Sequence, residues 1–85
     1  MEFALAVFRA KTETLNFANL LKSYDVPCSI VTTPRIINVS CGISVKFSLY
    51  DLSPAKSIIV RRKFDSFAGF YKITQIGLKQ TATRL

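Results

Sequence analysis

Histidine and tryptophan are absent from the 85-residue sequence, cysteine occurs twice, and glycine and proline occur three times each. Without histidine the chain can build neither a Cys/His zinc site nor a histidine-based catalytic centre. Cys28 and Cys41 form no CxxC pair, and two cysteines are too few for a disulfide scaffold. Five scattered acidic residues give no convergent carboxylate pair, and three glycines give no phosphate loop. A conventional hydrolase or oxidoreductase is therefore disfavoured, and no cofactor is expected. The apolar run Phe3 to Phe8 spans six residues, too few for a signal peptide or a membrane span, so the expected compartment is a reducing cytoplasm. The formal glycosylation triplet Asn38-Val39-Ser40 is set aside, because that modification requires secretion.

What is present is apolar and basic. Hydrophobic residues make up 49% of a chain with room for one core, so nearly all of them must pack internally or against a partner. Twelve Lys and Arg against five Asp and Glu give a charge of +7, which attracts anionic partners without selecting among them. The basic residues cluster only at Arg61-Arg62-Lys63 and are otherwise scattered, a pattern that fits solvated surface better than nucleic-acid binding.

The hydrophobic pattern predicts strands at Phe3 to Arg9, Cys28 to Thr32, Ile43 to Phe47 and Phe70 to Thr74. The third is the clearest, with Ile43, Val45 and Phe47 alternating with Ser44, Lys46 and Ser48. Thr12 caps a helix from about Glu13 to Tyr24, which ends before Pro27; Ser53-Pro54 opens a second helix carrying Ala55, Ile58, Ile59 and Arg62. Ile30 is the expected core residue of the second strand. The order predicts an α+β domain of ferredoxin-like βαββαβ type over residues 1–74: a four-stranded antiparallel sheet with two helices on one face. Residues 75–85 read as a flexible basic tail. Because the first strand is apolar on both faces, the open sheet face should be partly covered, and a homodimer or a partner protein would cover it. An RNA-recognition surface is disfavoured, since Ile43 and Val45 stand where aromatics would be needed and Phe47 belongs to the core alternation. Docking through the open face, with the thiol incidental, is one alternative reading, and weak nucleic-acid backbone binding through Arg61, Arg62 and Lys63 is another.

Hairpin loops usually take about two to five residues. The segment Thr33 to Cys41 takes nine, an ordering cost that raises the question of function. Pro34 stiffens its start, Arg35 is a fixed cation, and Gly42 leaves the backbone accessible beside the Cys41 sulfur. Cys41 is the candidate nucleophile, with Arg35 placed to favour a thiolate; its bland alternative is a small apolar residue at a strand start. Cys28 lies at the far end of the hairpin, roughly 10 to 15 Å away and beyond disulfide reach, so two free thiols are expected.

Thr33-Pro34-Arg35, Ile37, Cys41-Gly42 and Lys46-Phe47, within the flanking βαβ pattern, resemble the selenium/sulfur carrier-like family of small bacterial domains. The resemblance extends from about Phe3 to Ile73, with Ile36, Asn38 and Val39 departing from the more polar or acidic residues of that pattern. It implies a ferredoxin-like domain that carries sulfur or selenium on Cys41, as a persulfide or selenide, with Arg35 as electrostatic partner. It also implies donor and acceptor proteins as partners.

Overall fold

The structure, a computed structural model, describes residues 1–37 and 41–85. The chain runs β1 (Glu2–Phe8), α1 (Lys11–Ser23), β2 (Cys28–Thr32), β3 (Ile43–Phe47), a 3-10 turn (Leu49–Asp51), α2 (Leu52–Arg61), β4 (Phe67–Ile76) and β5 (Lys79–Arg84). These form one antiparallel sheet in the order β2-β3-β1-β4-β5.

The sheet has five strands where four were expected. Residues 75–85, expected as a flexible tail, complete β4 and form β5, pairing Tyr71 with Arg84 through Ile76 with Lys79. Gly77 makes this hairpin: its φ of 60° falls at the first of two loop residues, where a type II′ turn calls for glycine. Thr81 and Thr83 suit a strand, and Ala82 packs against the apolar sheet face.

β1 lies at the centre of the sheet, and Ala4 through Phe8 are all fully buried. Its alternate residues feed two separate clusters. Ala4, Ala6 and Phe8 join Phe17, Ala18 and Leu21 of α1, Ala55 and Ile58 of α2, and Val45, Phe47 and Phe70 of the sheet, so both helices cover the same face. Phe8, Phe17 and Phe70 each pack against three other rings; the Phe8 centroid lies 5.2 Å from Phe17, 5.4 Å from Phe64 and 5.3 Å from Phe67. Such tilted and edge contacts add to what burial alone supplies.

Leu5 and Val7 point to the other face and are buried with Ile73, Ala68 and Ile37, while Phe3, Val31, Tyr71 and Ala82 pack around them. Part of their cover comes from the chain itself, through Ile37 of the β2–β3 loop and Ala82 of β5. Ile30 fails as a core residue: β2 is an edge strand, and Ile30 remains 39% exposed.

The helix ends follow local chemistry. α1 is capped at Ala10, two residues before the expected Thr12, and ends in paired back-bonds from Asp25 N to Lys22 O and Val26 N to Leu21 O. Asp25 takes the left-handed conformation (φ 61°) that this closure needs, and buried Val26 seals it. Pro54 sits in the first turn of α2, where its missing N–H costs no helical bond.

Two outcomes test this arrangement. Phe17→Ala should lower unfolding stability by about 3–5 kcal/mol in urea titration. Deleting residues 77–85 should lower the urea midpoint by uncovering the Tyr71–Ile73 edge, whereas loss of a mere tail would leave it unchanged.

Candidate functional site

Antiparallel pairing brings several chain segments to one end of the sheet. β1 finishes there at Phe8 opposite Phe67, the Arg9 amide donates to Ser66 O at 2.8 Å, and α1 starts immediately after. β2 ends at Thr32 opposite Ile43, the first residue of β3, so the loop carrying the candidate residues projects from this same end.

The base of that loop is closed by two bonds: Thr33 N donates to Gly42 O at 2.9 Å, and the Thr33 and Ser44 hydroxyls share a hydrogen bond of 2.6 Å. Ser44 is thereby satisfied although fully buried. Ile37 N donates to Pro34 O at 3.0 Å, turning the chain so that Ile37 drops onto Leu5 and Val7. Asn38, Val39 and Ser40, including the glycosylation triplet and two of the departures from the family pattern, lie outside the described residues.

Cys41 is 9% exposed, and its Sγ donates to Ile43 O at 3.5 Å. Sγ also lies 3.9 Å from Thr14 Oγ1 in the first turn of α1. The Thr14 hydroxyl donates to Ala10 O at 3.2 Å, so in this arrangement its oxygen is free to accept. Arg35 is exposed in the turn that follows Pro34, and among the described residues Cys41 takes its polar contacts from Thr14 and Ile43, not Arg35. Pro34 is half-buried; Gly42 is exposed, with open space where a Cβ would stand.

Cys28 lies at the opposite end of β2, half-buried, with Sγ donating to Ala18 O at 3.5 Å. Burial pushes its thiol above the usual cysteine range, and the nearby Lys22 ammonium offsets this only in part. Both thiols are free. Among the described residues no three Cys, Asp or Glu side chains gather in a metal-binding cluster.

Thr14 and Glu13 escaped the sequence reading. Thr14 falls on the buried stripe of α1 with Phe17, Ala18 and Leu21, and a polar residue on such a stripe was the available signal. Glu13 reaches across to the start of β4, accepting from Ser66 N at 2.7 Å, Asp65 N at 3.2 Å and the Ser66 hydroxyl. The Ser66 hydroxyl first, then the Ser66 and Asp65 amides, hold its carboxyl below the usual carboxylate range against the opposing effect of burial.

Fold and site together define a class: a small α+β domain that sets one cysteine where a strand begins, beside the first turn of a helix. A family model described as "Putative Se/S carrier protein-like" matches residues 3–72, and the chain belongs to that family. No curated protein and no solved structure matches the chain. Among the described residues no helix is long and apolar enough to cross a membrane.

Three measurements follow from this geometry. In a Cys41→Ser protein, Cys28 should alkylate more slowly than free cysteine at about pH 7 to 8, because its raised pKa leaves less thiolate. Glu13 stabilises the fold above the unfolded carboxyl's pKa, and that contribution is lost as pH falls through its depressed folded value. Glu13→Gln should thus flatten the acid side of the stability profile. Gly42→Ala should fold normally, whereas Gly69→Ala should destabilise by about 1–3 kcal/mol. Gly69 has φ 139°, and an added Cβ would meet the Arg84 guanidinium carbon at 3.0 Å.

Proposed function

We propose that this protein carries sulfur or selenium between partner proteins, holding the transferred atom on Cys41. The observation that carries the reading is the placement of Cys41: its thiol sits at the loop-bearing end of the sheet, among polar neighbours, in a chain of this family. We read β1–β4 with the two helices as a ferredoxin-like unit to which β5 adds an edge.

The chemistry needs one nucleophile and no cofactor. The Cys41 thiolate attacks the terminal sulfur of a donor persulfide; a new S–S bond forms, the donor's S–S bond breaks, and the donor cysteine leaves as a thiolate. Cys41 then bears the persulfide. An acceptor nucleophile attacks that terminal atom, and Cys41 departs as the thiolate, so the cycle closes with no net oxidation of the carrier. Selenium follows the same path with an S–Se bond. A reducing compartment such as the cytoplasm keeps Cys41 available.

Thr14 has a defined part in this cycle. Its hydroxyl, now donating to Ala10 O, becomes a donor to the sulfur once Cys41 loses its proton, a charge-assisted bond that the resting thiol does not receive. For attack, Sγ must turn away from Ile43 O, and Gly42 leaves room beside it. Arg35 and Pro34 act through the loop: Pro34 sets the turn, and Arg35 offers a solvent-facing cation to an incoming anion.

Intact-mass and peptide mass spectrometry after incubation with a small persulfide donor tests the reading. The expected result is one added sulfur on Cys41 in wild type and Cys28→Ser, and none in Cys41→Ser. Charging of Cys28 alone, or of neither thiol, would refute it. Thr14→Val should charge more slowly than wild type while Thr14→Ser keeps the rate.

A further inference from the structure

The end of the sheet that holds Cys41 also gathers cations. Arg9 and Lys11 follow β1, Arg35 stands in the loop, and Arg61-Arg62-Lys63 close α2, so six of the chain's twelve basic residues lie at this end. All six are exposed. Two of the five acids, Glu13 and Asp65, are also here, but the Glu13 carboxylate is occupied by Ser66 and Asp65 N–H. Among the described residues the one side-chain ion pair, Lys72 with Glu2 at 3.8 Å, lies toward the other end, so none of these six is neutralised by a partner within the described chain.

These charges border a groove of about 460 Å³ between α1 and the segment that leaves α2. Arg62 and Lys63 stand on one wall, and Asn16 and Asn19 offer amide donors on the other. Leu20 and half-buried Phe64 add apolar surface. Glu13, also in the groove, directly precedes Thr14 on α1, the residue whose hydroxyl lies 3.9 Å from the Cys41 sulfur.

We infer that this groove docks an acidic, apolar-containing segment of a partner protein, so that the partner's reacting group is brought to Cys41. The inference rests on the carrier reading above and identifies the kind of surface that a donor or acceptor would present. Guanidinium and ammonium groups select for carboxylates, and apolar side chains between the carboxylates find Leu20 and Phe64. A nucleic acid suits the site less well, because the groove has no exposed aromatic face on which a base could stack; its one aromatic, Phe64, is engaged with Phe8 and Phe17.

The test uses the full chain and a fluorescein-labelled peptide of alternating glutamate and leucine, with an alternating glutamine and leucine peptide and oligouridine RNA as controls. The glutamate peptide should bind with an affinity that falls as salt rises, and amide shifts should concentrate at Asn16, Asn19 and Arg62 to Phe64. Arg62→Glu with Lys63→Glu should weaken binding by about tenfold or more, whereas Lys72→Glu with Lys79→Glu, the same charge change at the other end, should weaken it far less. Equal losses from the two pairs would reduce the effect to net charge and overturn the proposal. Tighter binding of oligouridine through the same residues would also overturn it, in favour of a nucleic-acid surface.

Charging of Cys41 by a small persulfide donor, measured in parallel, separates the two readings. The Arg62→Glu/Lys63→Glu protein should charge like wild type, because a small donor needs no docking surface. Peptide binding with no charging would sink the carrier reading alone; charging with no localised binding would sink the docking proposal alone.

Discussion

A strand buried on both faces is the constraint on which the rest of this structure depends. β1 has Ala4 through Phe8 fully enclosed, and an 85-residue chain must find two covers for it. The helices supply one. The other must come from whatever remains, and the chain uses the β2–β3 loop, through Ile37, together with β5 through Ala82. Each buried side chain contributes roughly 1.5–3 kcal/mol, so leaving Leu5, Val7 and Ile73 uncovered would forfeit much of the stability of a domain this small.

This demand ties the site to the fold. The same loop that closes the second core also leads into Cys41, and its base is fixed by the Thr33–Gly42 and Thr33–Ser44 bonds. On the other side of Cys41 stands Thr14, on the helix that closes the first core. The thiol therefore sits at the seam between the two covers, only 9% exposed. Arg9, Lys11, Arg35 and Arg61 to Lys63 lie at that same end of the sheet because β1, β2 and α2 all finish there.

Much of this was legible in the sequence. Two-fold alternation marked β3, the apolar content of β1 on both faces announced the need for a second cover, and the length of the β2–β3 loop drew attention to Cys41. Residues 75–85 read as a tail because strand β5 owes its place to backbone pairing and to Ala82, not to an apolar stripe, and its hairpin signal is the single Gly77 between Ile76 and Leu78. Ile30 looked like core because alternation reveals a face but not whether the strand lies at the edge. The link from Cys41 to Thr14 joins residues 27 positions apart, and no local pattern reports such a contact. Arg35 is near Cys41 in sequence but turned outward, because Ile37 takes the inward position.

One loop both covers the second core through Ile37 and leads into Cys41, and a single variant tests whether the two are coupled. Ile37→Ala should lower stability by about 2–5 kcal/mol in urea while leaving the native fold, and under native conditions it should also speed alkylation of Cys41 relative to Cys28. A loss of stability with no change in the relative Cys41 rate would contradict the account, because the cover and the thiol would then be independent features of the loop.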